Sequence, residues 1–282
     1  MTNHPAAPPL LDDVIEVVVG TLTFDLGRYL IAAGLMSAIV ALVMRTRWRS
    51  RRIQPRTAPR RDVIREILLS LRTVAVYAAV GMITMMGFRL GLLHEPAGAS
   101  ALATAGYVAL AVIGHDAYFY WVHRAMHHPR LFRRFHRSHH RSVTPTPWAA
   151  YAFDVPEAVL MALFMPLWLL LVPTPAPAIF AFLAIMIVRN VMGHAGVELH
   201  PRGWVAHPLL RWISTTTHHD LHHSGGFNRN FGFYFTFWDK LMGTEHPDYA
   251  RVFDAVTAVK ADSLPSDRPR IAWLAGEPRQ RI

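Results

Sequence analysis

Long stretches of apolar residues alternate with short, strongly basic segments along the chain. The first stretch, 29–44, reaches membrane length together with 22–26, and two more cover 73–93 and 96–114. Each is close to the roughly 20 residues that a helix needs to cross the hydrocarbon core of a bilayer. A fourth stretch, 158–188, has 31 residues without Asp, Glu, Lys or Arg and contains several prolines. It is too short for two full spans and predicts a helical hairpin.

This pattern predicts an all-α integral-membrane bundle of about four to five membrane helices or hairpin arms. A histidine-rich helical cap is expected on its cytosolic side. A soluble all-helical protein with buried apolar helices is the alternative that the pattern leaves open. The predicted regions are an N-terminal segment on the outer side (1–21), three spans (22–114) with a basic cytosolic loop (45–61), a histidine-rich core (115–248) with the membrane hairpin (155–193), and an irregular tail (249–282).

The net charge of +10 is unevenly distributed. Eight arginines lie in 45–61 and six in 124–141, and neither segment contains an acidic residue. Nucleic-acid binding proteins do not normally separate basic clusters by long uncharged apolar runs, so we expect no nucleic-acid partner. The positive-inside rule places both segments in the cytoplasm, and we expect an inner membrane of a bacterium. The chain has no cysteine, which excludes thiolate metal sites and cysteine nucleophiles.

Histidine carries the candidate chemistry. Ten of the 17 histidines lie in three strings, HRAMHH (123–128), HRSHH (136–140) and HHDLHH (218–223). On a helix, residues three or four apart project from one face, so paired histidines at this spacing can reach one metal ion. Asn190 and His194 repeat the spacing at the end of the hairpin. The imidazoles predicted to hold two metal ions are His123, His127, His136, His139, His140, His194, His219, His222 and His223.

Further polar residues surround these nine. His128 and His218 are candidate additional ligands, because each belongs to a histidine doublet. Asp116, Asp220 and Asp239 are candidates to accept the spare ring N–H groups of the ligands. Imidazole suits iron, zinc, copper and nickel, so the ligand type alone does not name the metal.

The order of these motifs resembles the fatty acid hydroxylase and sterol desaturase superfamily of membrane-bound, non-haem di-iron oxygenases. The resemblance covers about 114–244 and includes AYFYWVHRAMHH (117–128), the two later histidine strings and FWDKLMGT (237–244). It implies two iron ions, with zinc as a substitute, held by the nine imidazoles beneath a channel for an acyl or polycyclic lipid. It also implies hydroxylation or desaturation of a fatty acyl lipid or sterol-like molecule by dioxygen, with Asn190 as an outer-shell partner and no catalytic residue beyond the metal centre.

The electrons for such a reaction have no source within the chain. It lacks a glycine-rich dinucleotide fingerprint and cysteines for an iron–sulfur centre, so we expect an external donor such as a ferredoxin or cytochrome b5 with its reductase. Two alternatives stay open at this point. One is a zinc-dependent membrane hydrolase, although no H-E-x-x-H string is present; the other is a non-enzymatic haem-binding or metal-binding membrane protein.

Overall fold

The computed structural model describes residues 11–225 and 227–258, and it is helical over most of this range. Within it, extended pairing is limited to two isolated bridges, Arg52 with Val197 and Ile213 with Phe235. The α-helices of the described residues are α1 (Leu11–Val43), α2 (Arg60–Arg89), α3 (Ala101–Met126), α4 (Pro129–Phe135), α5 (Arg137–His140), α6 (Val155–Leu171), α7 (Ala176–Gly193), α8 (Thr216–Ser224), α9 (Phe237–Leu241) and α10 (Tyr249–Ala258). The predicted all-α bundle is confirmed.

Three of the described helices are long and apolar enough to cross a membrane: α1 from Val14, α2 and α7. Large apolar side chains on them remain exposed, with Ile31, Leu35 and Ile83 each more than 60% accessible. A protein surrounded by water rarely leaves so many large apolar side chains on one surface, whereas lipid tails cover them without cost. The exposed belt therefore agrees with a membrane protein.

The predicted third span and the hairpin take a different form from the one expected. The stretch 96–114 belongs to α3, which begins at Ala101 and continues unbroken to Met126, so the first histidine string lies on the same helix. The buried polar residues His115 and Asp116 interrupt its apolar character, and α3 is not among the three helices of membrane length and hydropathy. In the hairpin, α7 is one of the three, whereas α6 is a shorter apolar helix of 17 residues.

Hydrogen bonds and apolar packing hold the long helices against a short 3-10 turn at Pro147–Tyr151. The Tyr29 hydroxyl of α1 and the Ser70 hydroxyl of α2 both donate to the Trp148 carbonyl, at 3.0 and 2.9 Å. This turn follows the second histidine string, so the long helices and the histidine region are held together directly. The buried apolar residues around it are Tyr29, Ala33, Met36, Val74, Ala150, Tyr151, Phe153, Ala158, Ile187, Val191 and Ala195.

The basic segment 45–61 packs against the histidine-rich end of the bundle. The Glu198 amide donates to the Arg51 carbonyl at 2.9 Å, and Gln54 Nε2 donates to the Asp220 carboxylate of α8 at 3.0 Å. The arginine-rich loop and the third histidine string therefore lie on one side of the long helices, as the charge pattern predicts.

The tail predicted to be irregular from residue 249 begins instead with α10. Tyr249, Val252, Phe253 and Val256 are spaced three or four residues apart on it and pack against Leu221 of α8. This amphipathic spacing covers only ten residues, and the prolines that follow it favour an irregular tail over a helix. The rest of the predicted tail, from 259, lies outside the described residues.

Candidate metal centre

Helix ends position the histidines. His123 lies in the last turn of α3 and His127 caps that helix, while His194 caps α7. His136 lies between α4 and α5, and the two other histidines of its string are on α5. All three histidines of the last string that are predicted as ligands lie on α8. Four separate elements therefore deliver imidazoles to one region.

The nine imidazoles form two compact groups, within each of which one nitrogen of every ring lies within 4.8 Å of the others. We call them group A and group B. Group A consists of His123, His127, His136, His140 and His222. Group B consists of His139, His194, His219 and His223.

The i, i+4 spacing decides which histidines share a group. His136 joins His140 in group A, and His219 joins His223 in group B. Two pairs of adjacent histidines, His139–His140 and His222–His223, are divided between the groups, because neighbouring side chains on a helix diverge by about 100°. Each of these two pairs thus supplies one ring to each group, which places two candidate ion sites side by side.

The ring nitrogens facing one another in group A cannot all be hydrogen-bonded to each other. His123 Nδ1 lies 2.9 Å from the Phe231 carbonyl oxygen, which can only accept, so Nδ1 carries the proton. The Nε2 of this neutral ring is then a bare lone pair, and it lies 3.0 Å from Nε2 of His136. His136 Nδ1 in turn lies 2.6 Å from the Glu157 carboxyl group, which directs its Nε2 lone pair toward His123.

Group B repeats this arrangement. His194 Nδ1 donates to the Asn190 carbonyl at 2.8 Å, and His223 Nδ1 donates to the Ser142 carbonyl at 3.1 Å, so both Nε2 atoms are lone pairs. His219 Nε2 lies 3.0 Å from the first and 3.1 Å from the second. One proton on His219 can satisfy only one of these contacts. A cation between the rings satisfies both, and the residues therefore fit a metal ion in each group.

Burial keeps the candidate ligands in the form that binds metal. It lowers the pKa of seven of the nine imidazoles well below the ordinary value, and mutual repulsion between the imidazoles lowers each pKa further. These rings are neutral at neutral pH, so a metal ion does not have to compete with a proton for the free ring nitrogen. The seven are His127, His136, His139, His140, His219, His222 and His223.

The three aspartates predicted to accept ring N–H groups have other partners. Asp116 accepts from the amides of Tyr234 and Phe235 at 2.8 and 3.1 Å. Asp220 accepts from Gln54, as described above, and Asp239 accepts from the amides of the 231–232 segment at 2.9 and 2.7 Å. Within the described residues none of them contacts a ring of either group. These carboxylates instead hold the loops that present carbonyl oxygens to the rings.

Asn190 and the two additional candidate ligands lie at the margin of the site. The Asn190 backbone carbonyl accepts from His194, while its side chain donates to the Ala150 carbonyl at 2.7 Å. His128 is exposed and caps α4, accepting the Arg130 amide at 3.3 Å. His218 is fully buried, with Nε2 3.4 Å from the Asp239 carboxylate. Both histidines lie outside the two groups.

Glu157 is the functional candidate that sequence reasoning missed. It lies in the first turn of α6 and is 2% exposed, and its carboxyl group contacts the His136 ring. The signal in the sequence was a single carboxylate directly before 31 uncharged residues, a position where an acid is costly unless it has a specific partner. The other outer contacts are made by backbone carbonyls, which no side-chain pattern reveals.

An apolar cavity of about 650 Å³ runs inside the bundle toward these groups. It is lined by α1, α2, α6 and α7, together with Phe119 of α3 and Phe153. The Phe119 ring centroid lies 5.0 Å from that of His123, and the Phe153 ring centroid lies 5.1 Å from that of His139. A single phenylalanine ring therefore stands between each group of imidazoles and the inner end of the cavity.

The sequence profile of the fatty acid hydroxylase family matches residues 108–244. This range begins on α3 and contains every member of groups A and B. This part of the chain is therefore similar to the fatty acid hydroxylase family. Its matched range ends at Thr244, whose side-chain oxygen lies 2.9 Å from the Tyr120 hydroxyl of α3, so the family region closes on itself around the histidines.

Several sterol-modifying members of the superfamily are similar to the chain. The Delta(7)-sterol 5(6)-desaturase erg3B of Aspergillus fumigatus is 28% identical over 249 residues, which is 87% of this chain and 70% of the relative. The Delta(7)-sterol 5(6)-desaturase ERG3B of Gibberella zeae is 29% identical over 159 residues, 55% of this chain and 47% of the relative. Mouse lathosterol oxidase is 31% identical over 134 residues, 47% of this chain and 42% of the relative. No solved structure matches the chain.

Asp239 gives a prediction about the stability of this region. Burial raises the pKa of Asp239, but contacts with His218, Thr244 and the Gly232 amide outweigh burial and lower it to about 2. A depressed pKa stabilises the fold above the ordinary value of 3.8, and the contribution disappears as the pH falls toward 2. We expect Asp239→Asn to lower the free energy of unfolding at pH 7 by about 2 kcal/mol.

Denaturant unfolding of the purified protein in detergent at several pH values measures this effect. The gap between the wild type and Asp239→Asn should narrow below pH 4. Asp248→Asn is the matched control, because Asp248 is 35% exposed and its ion pair is with Arg251, three residues further on. A gap that stays constant with pH would contradict the assignment.

Proposed function

We propose that this chain is a membrane-bound di-iron oxidoreductase that uses dioxygen to hydroxylate or desaturate a C–H position of a lipid. The observation that carries the proposal is that nine imidazoles, eight of them buried, lie in two groups just beyond the aromatic rings that line the inner end of an apolar cavity. A lipid can enter such a cavity from the bilayer, while the imidazoles supply ligands for two ions. The relatives named as sterol desaturases and lathosterol oxidases support a sterol-like molecule or a fatty acyl lipid as the substrate.

The nine imidazoles of groups A and B are the proposed ligands. Two iron ions bound there would supply activation of dioxygen and the oxidising power needed for an unactivated C–H bond. Zinc fits the same all-imidazole donor set and is a plausible substitute. The protein holds the rings in one tautomer through the carbonyls of Phe231, Asn190 and Ser142 and through Glu157. Phe119 and Phe153 exclude water and bring the substrate chain against the rings.

The stoichiometry of either reaction requires an electron donor. Hydroxylation inserts one oxygen atom and reduces the other to water with two electrons and two protons. Desaturation removes two hydrogens from the lipid and reduces both oxygen atoms to water with the same external supply. We propose a ferredoxin-like or cytochrome b5-like donor with its reductase. Its acidic surface would meet the exposed arginines of the cap, Arg130, Arg133, Arg134 and Arg141.

We also propose that the chain lies in a bacterial inner membrane with the metal site facing the cytoplasm. The support for this orientation is that the arginine-rich segment 45–61 packs at the histidine end of the bundle, since basic loops stay on the cytoplasmic side.

Lipid mass spectrometry under ¹⁸O₂ tests the function. Membranes from cells that express the chain are compared with membranes from cells that carry an empty vector, with and without oxygen. Hydroxylation should appear as a lipid that has gained one ¹⁸O atom, and desaturation as a lipid that has lost two hydrogens. Lipid cleavage that proceeds without oxygen in zinc-loaded protein would contradict the proposal, as would unchanged lipids together with a haem Soret band.

A further inference from the structure

A charged pair at the middle of α1 lines the apolar cavity. Arg28 Nη2 donates to the Asp25 carboxylate at 2.5 Å, and the two side chains are only 9% and 10% exposed. Both residues line the cavity. Charged side chains inside a membrane helix are costly and generally mark a functional contact, so this pair requires an explanation beyond packing.

Most of the hydrogen-bonding capacity of Arg28 is unused by the protein. Its Nε and Nη1 atoms are buried and have no hydrogen-bond partner among the described residues. The Tyr151 hydroxyl, which also lines the cavity, is buried and unpartnered in the same way. The Arg28 guanidinium carbon lies 5.9 Å from the Tyr151 ring centroid. A buried donor without an acceptor destabilises the protein, so a ligand that supplies an acceptor here gains affinity.

The charge balance indicates which chemical group fits. Asp25 already neutralises Arg28, so an anionic carboxylate or phosphate would face a pair with no net charge. A neutral oxygen can accept from Arg28, and a hydroxyl can in addition donate to the Tyr151 oxygen. The site therefore favours a hydroxyl or carbonyl oxygen over an anionic headgroup.

The distance between Tyr151 and group B determines how far a bound lipid oxygen lies from the carbon that is oxidised. The Tyr151 ring centroid lies 6.2 Å from that of Phe153, which in turn lies 5.1 Å from that of His139 in group B. Two ring contacts thus separate the unpartnered hydroxyl from the metal site. The cavity extends away from both toward Phe88 and Phe180, which leaves room for an apolar remainder.

We infer that Arg28 and Tyr151 form a subsite that anchors a neutral hydroxyl or carbonyl oxygen of the lipid, so that oxidation falls on a carbon near that oxygen. This inference rests on the proposed function for the identity of the occupant as a lipid. It adds a recognition element and a constraint on the position of attack. The two residues are positioning residues, since they act on the oxygen and not on the reacting carbon.

Binding to the full chain in lipid nanodiscs tests the subsite without any turnover. The probes are cholest-7-en-3β-ol with its deoxy counterpart cholest-7-ene, and 1-octadecanol with octadecane. If the alcohol binds more tightly than its hydrocarbon in the first pair, the ligand is polycyclic. If it does so in the second pair, the ligand is an acyl chain. In the wild type we expect at least one alcohol to bind about tenfold more tightly than its hydrocarbon, a difference of about 1.4 kcal/mol.

The variants Asp25→Asn/Arg28→Leu and Tyr151→Phe should reduce this preference, the first to within about twofold. The double substitution avoids leaving Asp25 as an unpaired buried charge. Tyr151→Phe removes only a hydroxyl that has no protein partner, so it provides the test if the double variant fails to fold. Tyr118→Phe is the control, because the Tyr118 hydroxyl donates to the Leu160 carbonyl at 2.7 Å and is not part of the cavity wall.

Equal binding of alcohol and hydrocarbon to the wild type overturns the subsite, as does failure of both alcohols to bind. A preference that survives in both test variants overturns it as well. If lipids are oxidised while this preference is missing, only the subsite fails. If the preference is present but no lipid is oxidised under oxygen, the subsite stands and the proposed function fails.

Discussion

Alanine at His139 or at His222 is expected to abolish lipid oxidation. The two residues belong to different groups. Each substitution removes one imidazole from its group, and the remaining members of the group are already counted as ligands. Loss of an outer partner of a metal ligand costs 10–100-fold in affinity or activity, so loss of a ligand should lower turnover by more than about a hundredfold. Metal content should fall by about one ion per chain in each variant. Turnover and metal analysis of the purified protein measure both effects.

His128→Ala is the matched control for these variants. It makes the same chemical change one residue beyond His127, at an exposed side chain that caps α4. Turnover and metal content should stay close to the wild-type values. Retention of full turnover by His139→Ala and His222→Ala would show that the two groups are not the reactive site. Loss of turnover in all three variants would indicate a general disturbance of the cap.

Removal of the Glu157 carboxylate has the second largest expected effect. Its Oε1 lies 2.6 Å from His136 Nδ1, and this contact fixes the ring with Nε2 toward His123. We expect Glu157→Leu to weaken metal binding and to reduce turnover by about 10–100-fold. Glu157→Gln keeps a hydrogen-bond acceptor, so its metal affinity and turnover should lie between those of the wild type and those of Glu157→Leu. Metal titration of the purified variants measures the affinity.

Glu245→Gln serves as the control for this change. Glu245 is 30% exposed and pairs with Lys240 at the surface, away from both groups. Its substitution should leave metal binding unchanged. Wild-type affinity in Glu157→Leu would contradict the role of the carboxylate, and identical losses in the Leu and Gln variants would indicate that the negative charge, and not the hydrogen bond, is what matters.

The bundle and the nine histidines could be predicted because their signals are local. Apolar runs of membrane length indicate helices wherever they occur, and histidines four residues apart share a helix face in any fold. Even the division into two groups follows from this geometry, since His139 and His140 must point in different directions.

The contacts that orient the rings could not be predicted, because most of them are made by backbone atoms. The sequence predicts Asp116 and Asp239 as acceptors for histidine N–H groups, but the amides of the loop at 231–235 occupy the same carboxylate oxygens. Which donor wins depends on where the loop lies relative to α3 and α9, and these elements are distant in sequence. Glu157 reaches His136 for the same reason, through the packing of α6 beside α4, the helix that His136 follows.

The extent of the helices was also set by tertiary contacts. The sequence places a boundary near Gly114, yet α3 continues to Met126 because Tyr120 and His123 are buried against the segment after α8. Similarly, α10 forms because its apolar face covers Leu221. Neither the charge pattern nor the positions of the prolines indicate these two contacts.

Metal stoichiometry tests the central claim most directly. The full chain is purified without oxygen, loaded with ferrous iron and analysed by mass spectrometry for metal bound per chain. The two groups predict about two ions in the wild type, and about one in a variant that lacks a ligand of group A alone or of group B alone. Absence of bound metal, or an unchanged value of two in both variants, would contradict the assignment.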